Sequence, residues 1–118
     1  WFGINNIALS SNCVDPYNSK SVRSGMGAHY TVTINRSINL SYFQKTHKII
    51  AADLHGVNAS DYVFPNKCVL VLGNESHGIS CENLNYIEEN ISVLKLGSGN
   101  SLNVSVAGSI LMYLIMKN

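Results

Sequence analysis

Two polar side chains follow apolar or glycine-rich stretches at places where they could take part in chemistry. Glu75 stands in "VLVLGNESHG" (Val69–Gly78), and Asn103 stands in "GNSLNVSVAG" (Gly99–Gly108). A carboxylate could orient a substrate hydroxyl or a partner side chain, or it could accept backbone N–H groups at a helix N-terminus. The amide of Asn103 could hydrogen-bond within a site or cap a helix, as Ser101 could. The spacing alone leaves both alternatives open for Glu75 and for Asn103.

Three buried strands, each followed by a glycine-containing loop, are predicted to position these residues. Continuous apolar runs are typical of strands in a parallel sheet, and here they cover Lys48–Leu54, Cys68–Gly73 and Ile91–Leu96. The first run should be broken by "HGVN". Ligands of open parallel sheets bind at the carboxyl ends of the strands, so the loops "DLHG", "GNESHG" and "GSGNSLN" should meet at one site. A helix is predicted from about Leu102 to Lys117, with an apolar stripe on one face.

The remaining segments predict shorter elements. Alternation of apolar and polar residues indicates strands, and a capping residue before an apolar spacing indicates helices. These elements are strands at Ile4–Ser10 and Tyr30–Ile34, a helix capped by Asn18 or Ser19, a short helix through Leu40 and Phe43, and a helix over 81–89. Strands that alternate with helical segments predict an α/β fold with a mostly parallel sheet and flanking helices.

Composition limits the possible settings of the protein. A chain of 118 residues predicts one domain, and a formal charge of +1 gives no electrostatic argument for nucleic acid binding. The apolar excess indicates that some surface is buried against a partner. Three cysteines without a CxxC spacing argue against a disulfide framework or a zinc site and favour a reducing, cytoplasmic compartment. No secretory signal is present, and the most apolar stretch, 104–116, is shorter than the about 20 residues that a bilayer requires.

Several familiar functional motifs are absent from the sequence. The four histidines have no metal-ligand spacing, so no metal is expected, and Gly97-Ser98-Gly99 lacks the rest of a dinucleotide-binding fingerprint. There is no phosphate-binding loop of the Walker type and no G-x-S-x-G elbow. Lys20 and Arg23 lie one helical turn apart and form a small basic face, which is either solvated or in contact with a phosphate.

Four segments of the sequence together resemble one enzyme family over nearly the whole chain. "VLVLGNESHGIS" and "SLNVSVAGSILMYLI" resemble the second and third motifs of the SpoU (TrmH-like) branch of the SPOUT RNA methyltransferases. "CVDPYNSKSVRSGMGAHY" is similar to the segment that precedes these motifs, and "IIAADLHG" also has a counterpart. The segments occur in the family's order and at the family's spacing.

The resemblance implies a function and a set of partners. It implies an α/β fold with a C-terminal deep trefoil knot, a homodimer, and S-adenosyl-L-methionine as cofactor. The methyl group would pass to a ribose 2′-hydroxyl of rRNA or tRNA. The alternatives are a catalytically silent cofactor-binding or RNA-binding relative of the same fold, and an unrelated α/β nucleotide-binding module.

The resemblance also implies roles for individual residues. Gly73, Val93 and Leu102 correspond to the cofactor-binding residues, and Glu75 and Asn103 correspond to catalytic ones. Ser101 would hold the local loop, and His77 would be an ordinary loop residue.

Two departures from the family pattern accompany these roles. Leu94 stands where the family usually has Pro. The first motif, with an Asn and an Arg thought to assist catalysis, should precede Trp1, and Arg23 does not take its place. Residues 1–118 are therefore expected to be a catalytic domain that lacks its first motif, with more sequence upstream.

Overall fold

The computed structural model describes residues 1–117 and has mixed α/β structure. Contacts between residues divide the chain into two compact units, Trp1–Asn39 and Leu40–Asn118. All strand pairs are parallel, both in the first unit and in the second. The predicted fold class of a mostly parallel sheet with helices is therefore confirmed.

The first unit contains a parallel pair of short strands. Strand β1 (Asn6–Ala8) pairs with β2 (Thr33–Asn35), and Ile7 lies opposite Ile34. The strand predicted at Tyr30–Ile34 begins later than expected, because Gly27, with φ of +88°, leads into a 3-10 helix at Ala28–Tyr30. The amide of Tyr30 donates to the Gly27 carbonyl and is thereby used in the turn.

Helix α1 (Ser19–Gly25) lies between the two strands in sequence. Asn18 caps it, because the Asn18 side chain accepts a hydrogen bond of 3.0 Å from the Ser21 amide. Of the two predicted caps, Asn18 is therefore the correct one. The His29 ring donates from Nε2 to the Pro16 carbonyl, 2.8 Å away, since a carbonyl can only accept. This hydrogen bond connects the 3-10 helix of the unit to the segment before α1.

The second unit contains a three-stranded parallel sheet in the order β4-β3-β5. Its strands are β3 (Lys48–Asn58), β4 (Cys68–Val71) and β5 (Glu89–Ser92). Ile49 and Ile50 of the central strand are fully buried, as expected of a strand covered on both faces. The three predicted strands are confirmed, although the residues of β4 are only half-buried and β5 begins and ends earlier than Ile91–Leu96.

Strand β3 is longer than the sequence predicts and contains a bulge. Its pairing with β5 shifts register so that Ala52 and Val57 both lie opposite Ile91. Residues 53–56 form the bulge between them. Gly56 permits it, because a Cβ atom there would lie 2.5 Å from the backbone C of Asn90 and the backbone N of Ile91. The expected break at "HGVN" is therefore a bulge within one strand.

The helix predicted over 81–89 is wrong in its second half. Helix α2 covers only Cys81–Leu84, and β5 already begins at Glu89. The Glu88 amide donates to the Ile49 carbonyl at 2.9 Å, and Glu88 Oε1 accepts from the Ile49 amide at 3.0 Å. These two bonds with β3 draw residue 88 into the sheet and outweigh the helical spacing of the sequence.

Helix α3 (Val104–Lys117) packs on the sheet. Leu111 is buried in a core cluster with Ile50, Ala59, Phe64 and Ile91. The other members of its predicted apolar stripe are half-buried; they are Val104, Ala107, Leu114 and Ile115. The short helix predicted after residue 37 is a 3-10 helix at Leu40–Tyr42. Among residues 1–117, no helix is long and apolar enough to cross a membrane.

Candidate functional site

A cavity of about 840 Å³ lies in the second unit, at the carboxyl ends of its three strands. Its wall is formed by the β3 bulge, the loop after β4, the segment after β5 and the first turns of α3. The three loops that the sequence predicted to meet at one site therefore do line one cavity. The predicted site residues that line it are Gly73, Glu75, Val93, Leu102 and Asn103.

Gly73 allows two pieces of backbone to approach closely at the edge of this cavity. A Cβ atom at this position would lie 2.7 Å from the backbone C of Gly78 and 2.9 Å from the backbone N of Ile79. Real Cβ contacts are essentially never this short. Gly73 therefore fixes how the following loop folds back against the end of β4.

The loop Asn74–Gly78 is closed by its own hydrogen bonds. Asn74 and Gly78 exchange two backbone bonds of 2.9 and 2.8 Å. Asn74 Oδ1 also accepts from the amides of Ser76 and His77, at 2.8 and 3.2 Å. An Asn side chain that bonds backbone amides two and three residues ahead stabilises such a turn. The loop thus holds Glu75 near its tip, while His77 remains an exposed loop residue.

Glu75 is joined to the start of α3 by its side chain. Asn103 Nδ2 donates to Glu75 Oε1 at 2.9 Å, and the Val104 amide lies 3.5 Å from the same oxygen. The positive end of a helix dipole favours a carboxylate at this place. Both readings of Glu75 thus have geometric support, because the carboxylate lies at a helix N-terminus and also lines the cavity.

Asn103 is the N-cap of α3. Asn103 Oδ1 accepts from the amides of Ser105 at 2.8 Å and Val106 at 3.4 Å. Backbone amides can only donate, so the oxygen of the side chain faces them and the nitrogen faces Glu75. Asn103 is therefore the cap that the structure uses, rather than Ser101, which lies in the cavity wall.

Two of the apolar residues in the wall stand at the two ends of the segment after β5. Val93 packs against the core cluster, and Leu102 is half exposed. Gly73 completes the set of residues that the sequence associated with a cofactor. The structure brings these three residues to one cavity.

The loop "DLHG", which the sequence predicted at the site, forms the bulge of β3. Asp53, Leu54 and His55 all line the cavity, and Asp53 Oδ1 accepts from the His55 amide at 2.8 Å. Lys95 also lines the cavity, from the segment after β5, and was not assigned to the site. It falls inside the strand predicted at Ile91–Leu96, so the apolar pattern offered no signal for its place in the cavity wall.

The comparisons with known proteins agree on one family. The sequence profile of the SpoU rRNA Methylase family matches residues 1–113. A 23S rRNA (guanosine(2553)-2′-O)-methyltransferase from Bacillus subtilis is 28% identical over 116 residues, which are 94% of this chain and 47% of that protein. A tRNA (guanosine(18)-2′-O)-methyltransferase from Aquifex aeolicus is 33% identical over 94 residues, which are 74% of this chain and 44% of that protein. The chain spans about half the length of these curated relatives.

A solved structure has the same fold. The AdoMet-bound rRNA methyltransferase from Sinorhizobium meliloti superposes with a TM-score of 0.86 and 26% sequence identity. The match covers 98% of this chain and 47% of that one. The parallel α/β fold of this chain is therefore also found in a solved methyltransferase.

Proposed function

Because the chain belongs to the SpoU rRNA Methylase family, we propose that it acts as an RNA methyltransferase on a ribose 2′-hydroxyl of rRNA or tRNA. The names of the two relatives, one for rRNA and one for tRNA, support this class of substrate. The observation that carries the proposal is the bond of 2.9 Å from Asn103 to Glu75 at the wall of the cavity. It joins a residue of the second motif to a residue of the third.

The cavity fits S-adenosyl-L-methionine as the cofactor. Its volume of about 840 Å³ lies within the range of small-molecule sites, about 300–1,000 Å³. Gly73, Val93 and Leu102 would hold the cofactor, since a glycine lets a ligand approach the backbone and the two apolar side chains suit an adenine ring. The AdoMet-bound relative from Sinorhizobium meliloti supports this choice of ligand. When bound, the cofactor supplies a methyl group on a positively charged sulfur.

Glu75 and Asn103 would orient the accepting group. One oxygen of Glu75 accepts from Asn103, which leaves the other available to a ribose hydroxyl or to the arginine expected from the first motif. Asn103 is itself fixed by its hydrogen bond from an amide of α3, so its bond to Glu75 keeps the Glu75 carboxylate in a fixed direction. Methyl transfer requires a positioned hydroxyl and an acceptor for its proton, and this pair would supply the positioning.

The proposal includes the setting of the enzyme. Residues 1–118 would be a catalytic domain without its first motif, working as a cytoplasmic homodimer with a C-terminal trefoil knot. An exposed apolar face of α3 supports the dimer; its members, spaced by three or four residues, are Val106, Ile110, Tyr113 and Met116. Faces of this kind are typical of helices that pack against a partner.

The decisive test is transfer of a labelled methyl group from S-adenosyl-L-methionine to rRNA and to tRNA by the full-length protein, with the expected first motif and its arginine included. We expect incorporation into one of them, and loss of the 2′-hydroxyl of the accepting nucleotide should abolish it. Cofactor binding without transfer to either RNA would instead favour the catalytically silent relative.

Calorimetry identifies the ligand of the cavity independently of turnover. We expect S-adenosylhomocysteine to bind, and we expect ATP and NAD not to bind. Tight ATP binding without S-adenosylhomocysteine binding would replace the proposal with an unrelated nucleotide-binding module.

The role of Glu75 is tested by Glu75→Ala. It should lower turnover far more than the thermal unfolding midpoint, with Glu82→Ala, an exposed glutamate outside the cavity, as control. If Glu75→Ala merely unfolds the protein, its role is that of a helix N-terminal carboxylate.

A further inference from the structure

The wall segment, residues 93–102, connects the end of β5 to the cap of α3. Every residue of this segment lines the cavity, and none belongs to a helix or a strand. Within the described chain, it makes a single hydrogen bond, from Lys95 Nζ to the Gly99 carbonyl at 2.5 Å. A large part of the cavity wall is thus held by one side chain.

The two ends of the wall segment are fixed by other means. Val93 packs against the core cluster, and Asn103, directly after the segment, caps α3. Between these anchors the backbone forms no ladder and no turn bond. A segment of this kind has few contacts to offset its conformational entropy, so a single bond has a large effect on its shape.

The bond from Lys95 closes a short loop of the wall segment. It joins an ammonium group to a carbonyl, which makes it stronger than a bond between neutral groups. Its acceptor, Gly99, has φ of +136°, a conformation that residues with a side chain rarely adopt. The lysine therefore stabilises an unusual backbone turn that faces the cavity.

We propose that Lys95 is a positioning residue for cofactor binding, which keeps the wall segment folded before the cofactor arrives. The identity of the ligand rests on the proposed function, whereas the effect on the loop does not. When only a fraction of molecules has the binding conformation, the apparent dissociation constant rises by the inverse of that fraction. Lys95 limits this rise in the dissociation constant, because it keeps more of the molecules in the binding conformation before the cofactor arrives.

The test compares Lys95→Met with the full wild-type chain. Methionine keeps the unbranched shape of the side chain up to the ε position and removes the donor. We expect the Kd for S-adenosylhomocysteine to rise about threefold to tenfold. The KM for S-adenosyl-L-methionine should rise to a similar extent, with kcat unchanged at saturating cofactor. Lys95→Arg, which keeps a charged donor, should restore most of the affinity.

Lys45→Met is the matched control. It removes the same charge from an exposed lysine of the same unit that does not line the cavity. It should leave the Kd unchanged. An equal rise in Kd for both variants would mean that net charge, rather than the loop, determines affinity, and would overturn the proposal.

A second measurement does not require any ligand. Nitrogen-15 relaxation should give lower order parameters for the Gly97 and Gly99 amides in Lys95→Met than in the wild type, with the Asn74–Gly78 loop unchanged. If the wild type binds no S-adenosylhomocysteine, the proposed function fails, and the relaxation data still decide the role of Lys95. Identical relaxation in both proteins would show that Lys95 does not order the wall segment.

Discussion

At the scale of residues, the side chain of Asn103 joins two tasks. Its oxygen accepts from two amides of α3, and its nitrogen donates to Glu75. Asn103 therefore caps α3 and also hydrogen-bonds to a residue of the cavity wall, and its role in a site stays a prediction. Sequence spacing could not decide between these two roles, because the same amide side chain at this position is suited to both.

Replacement of Asn103 by serine separates these two tasks. Serine is a good N-cap but is too short to reach Glu75. We expect Asn103→Ser to keep the unfolding midpoint within a few degrees and to lower turnover by about 10²-fold, as expected for a misplaced orienting group. Asn103→Ala should lower turnover equally and also cost about 1 kcal/mol of stability through the lost cap. Thermal unfolding and methyl incorporation measure the two effects, and equal turnover for Asn103→Ser and wild type would contradict this role.

A methyl group at Gly73 should displace the loop that carries Glu75. The new Cβ would lie 2.7 Å from the Gly78 backbone, so the loop must shift. We expect Gly73→Ala to weaken S-adenosylhomocysteine binding at least about tenfold, because a misfit in a packed region costs about 1–3 kcal/mol. Ser60→Ala, a small change at an exposed position outside the cavity, is the control. Calorimetry that gives the same affinity for both variants would show that the close approach at Gly73 is unnecessary for binding.

At the scale of elements, apolar runs predict the three strands of the second unit, and the irregular parts escape prediction. Ile49 and Ile50 lie in a continuous apolar run, which is typical of a buried strand, and both are fully buried. The β3 bulge depends on Gly56 meeting the backbone of Asn90, a contact between residues far apart in sequence. The end of α2 similarly depends on Glu88 bonding to Ile49. Local pattern cannot contain such distant contacts, so the sequence predicts the loop "DLHG" at the site but not the bulge that places it there.

The ion pairs at the start of β3 should make stability depend on pH. Lys48 Nζ lies 3.3 Å from Glu88 Oε2 and 3.6 Å from Glu89 Oε1. The hydrogen bond from the Ile49 amide, helped by Lys48, lowers the pKa of Glu88. The hydrogen bond to Glu88 is the main cause that raises the pKa of Lys48.

The direction of the pH effect follows from these shifts. Because the pKa of Glu88 is lowered on folding, its contribution is complete above the ordinary glutamate pKa of about 4.3 and is lost as the pH falls through the folded-state pKa. Glu88→Gln should therefore be less stable than wild type at neutral pH, and the difference should shrink in acid. Urea unfolding of both proteins between neutral and acid pH measures this difference in the free energy of unfolding, with Glu82→Gln as control. A difference that is independent of pH would mean that Glu88 acts through packing alone.

At the scale of the whole molecule, the proposed homodimer depends on the exposed face of α3. This helix has a buried stripe around Leu111 and a second apolar stripe that includes Ile110 and Tyr113. The fold class and the family could be predicted from the sequence, because long motifs in a fixed order are specific. The surface through which two copies would associate could not be predicted from the sequence, because an apolar stripe does not identify the partner that covers it.

A charge on this second stripe should disrupt the proposed dimer. Burial of an unpaired carboxylate in an apolar interface is costly, so we expect Ile110→Asp to shift the full chain to monomers in sedimentation velocity measurements. Gln44→Asp changes the charge equally at an exposed position and should leave the dimer intact. A dimer that survives Ile110→Asp would place the interface elsewhere.

The bulge in β3 allows the pairing of the sheet and the lining of the cavity to depend on different residues of the same strand. The strand pairs with β5 up to Ala52 and again, in a shifted register, from Val57. Asp53, Leu54 and His55 are therefore not among the paired positions. These three side chains nevertheless form part of the cavity wall. Variation in this short stretch can therefore change what the cavity accepts while the sheet stays intact, which makes it the natural place to look for differences in ligand preference between members of the family.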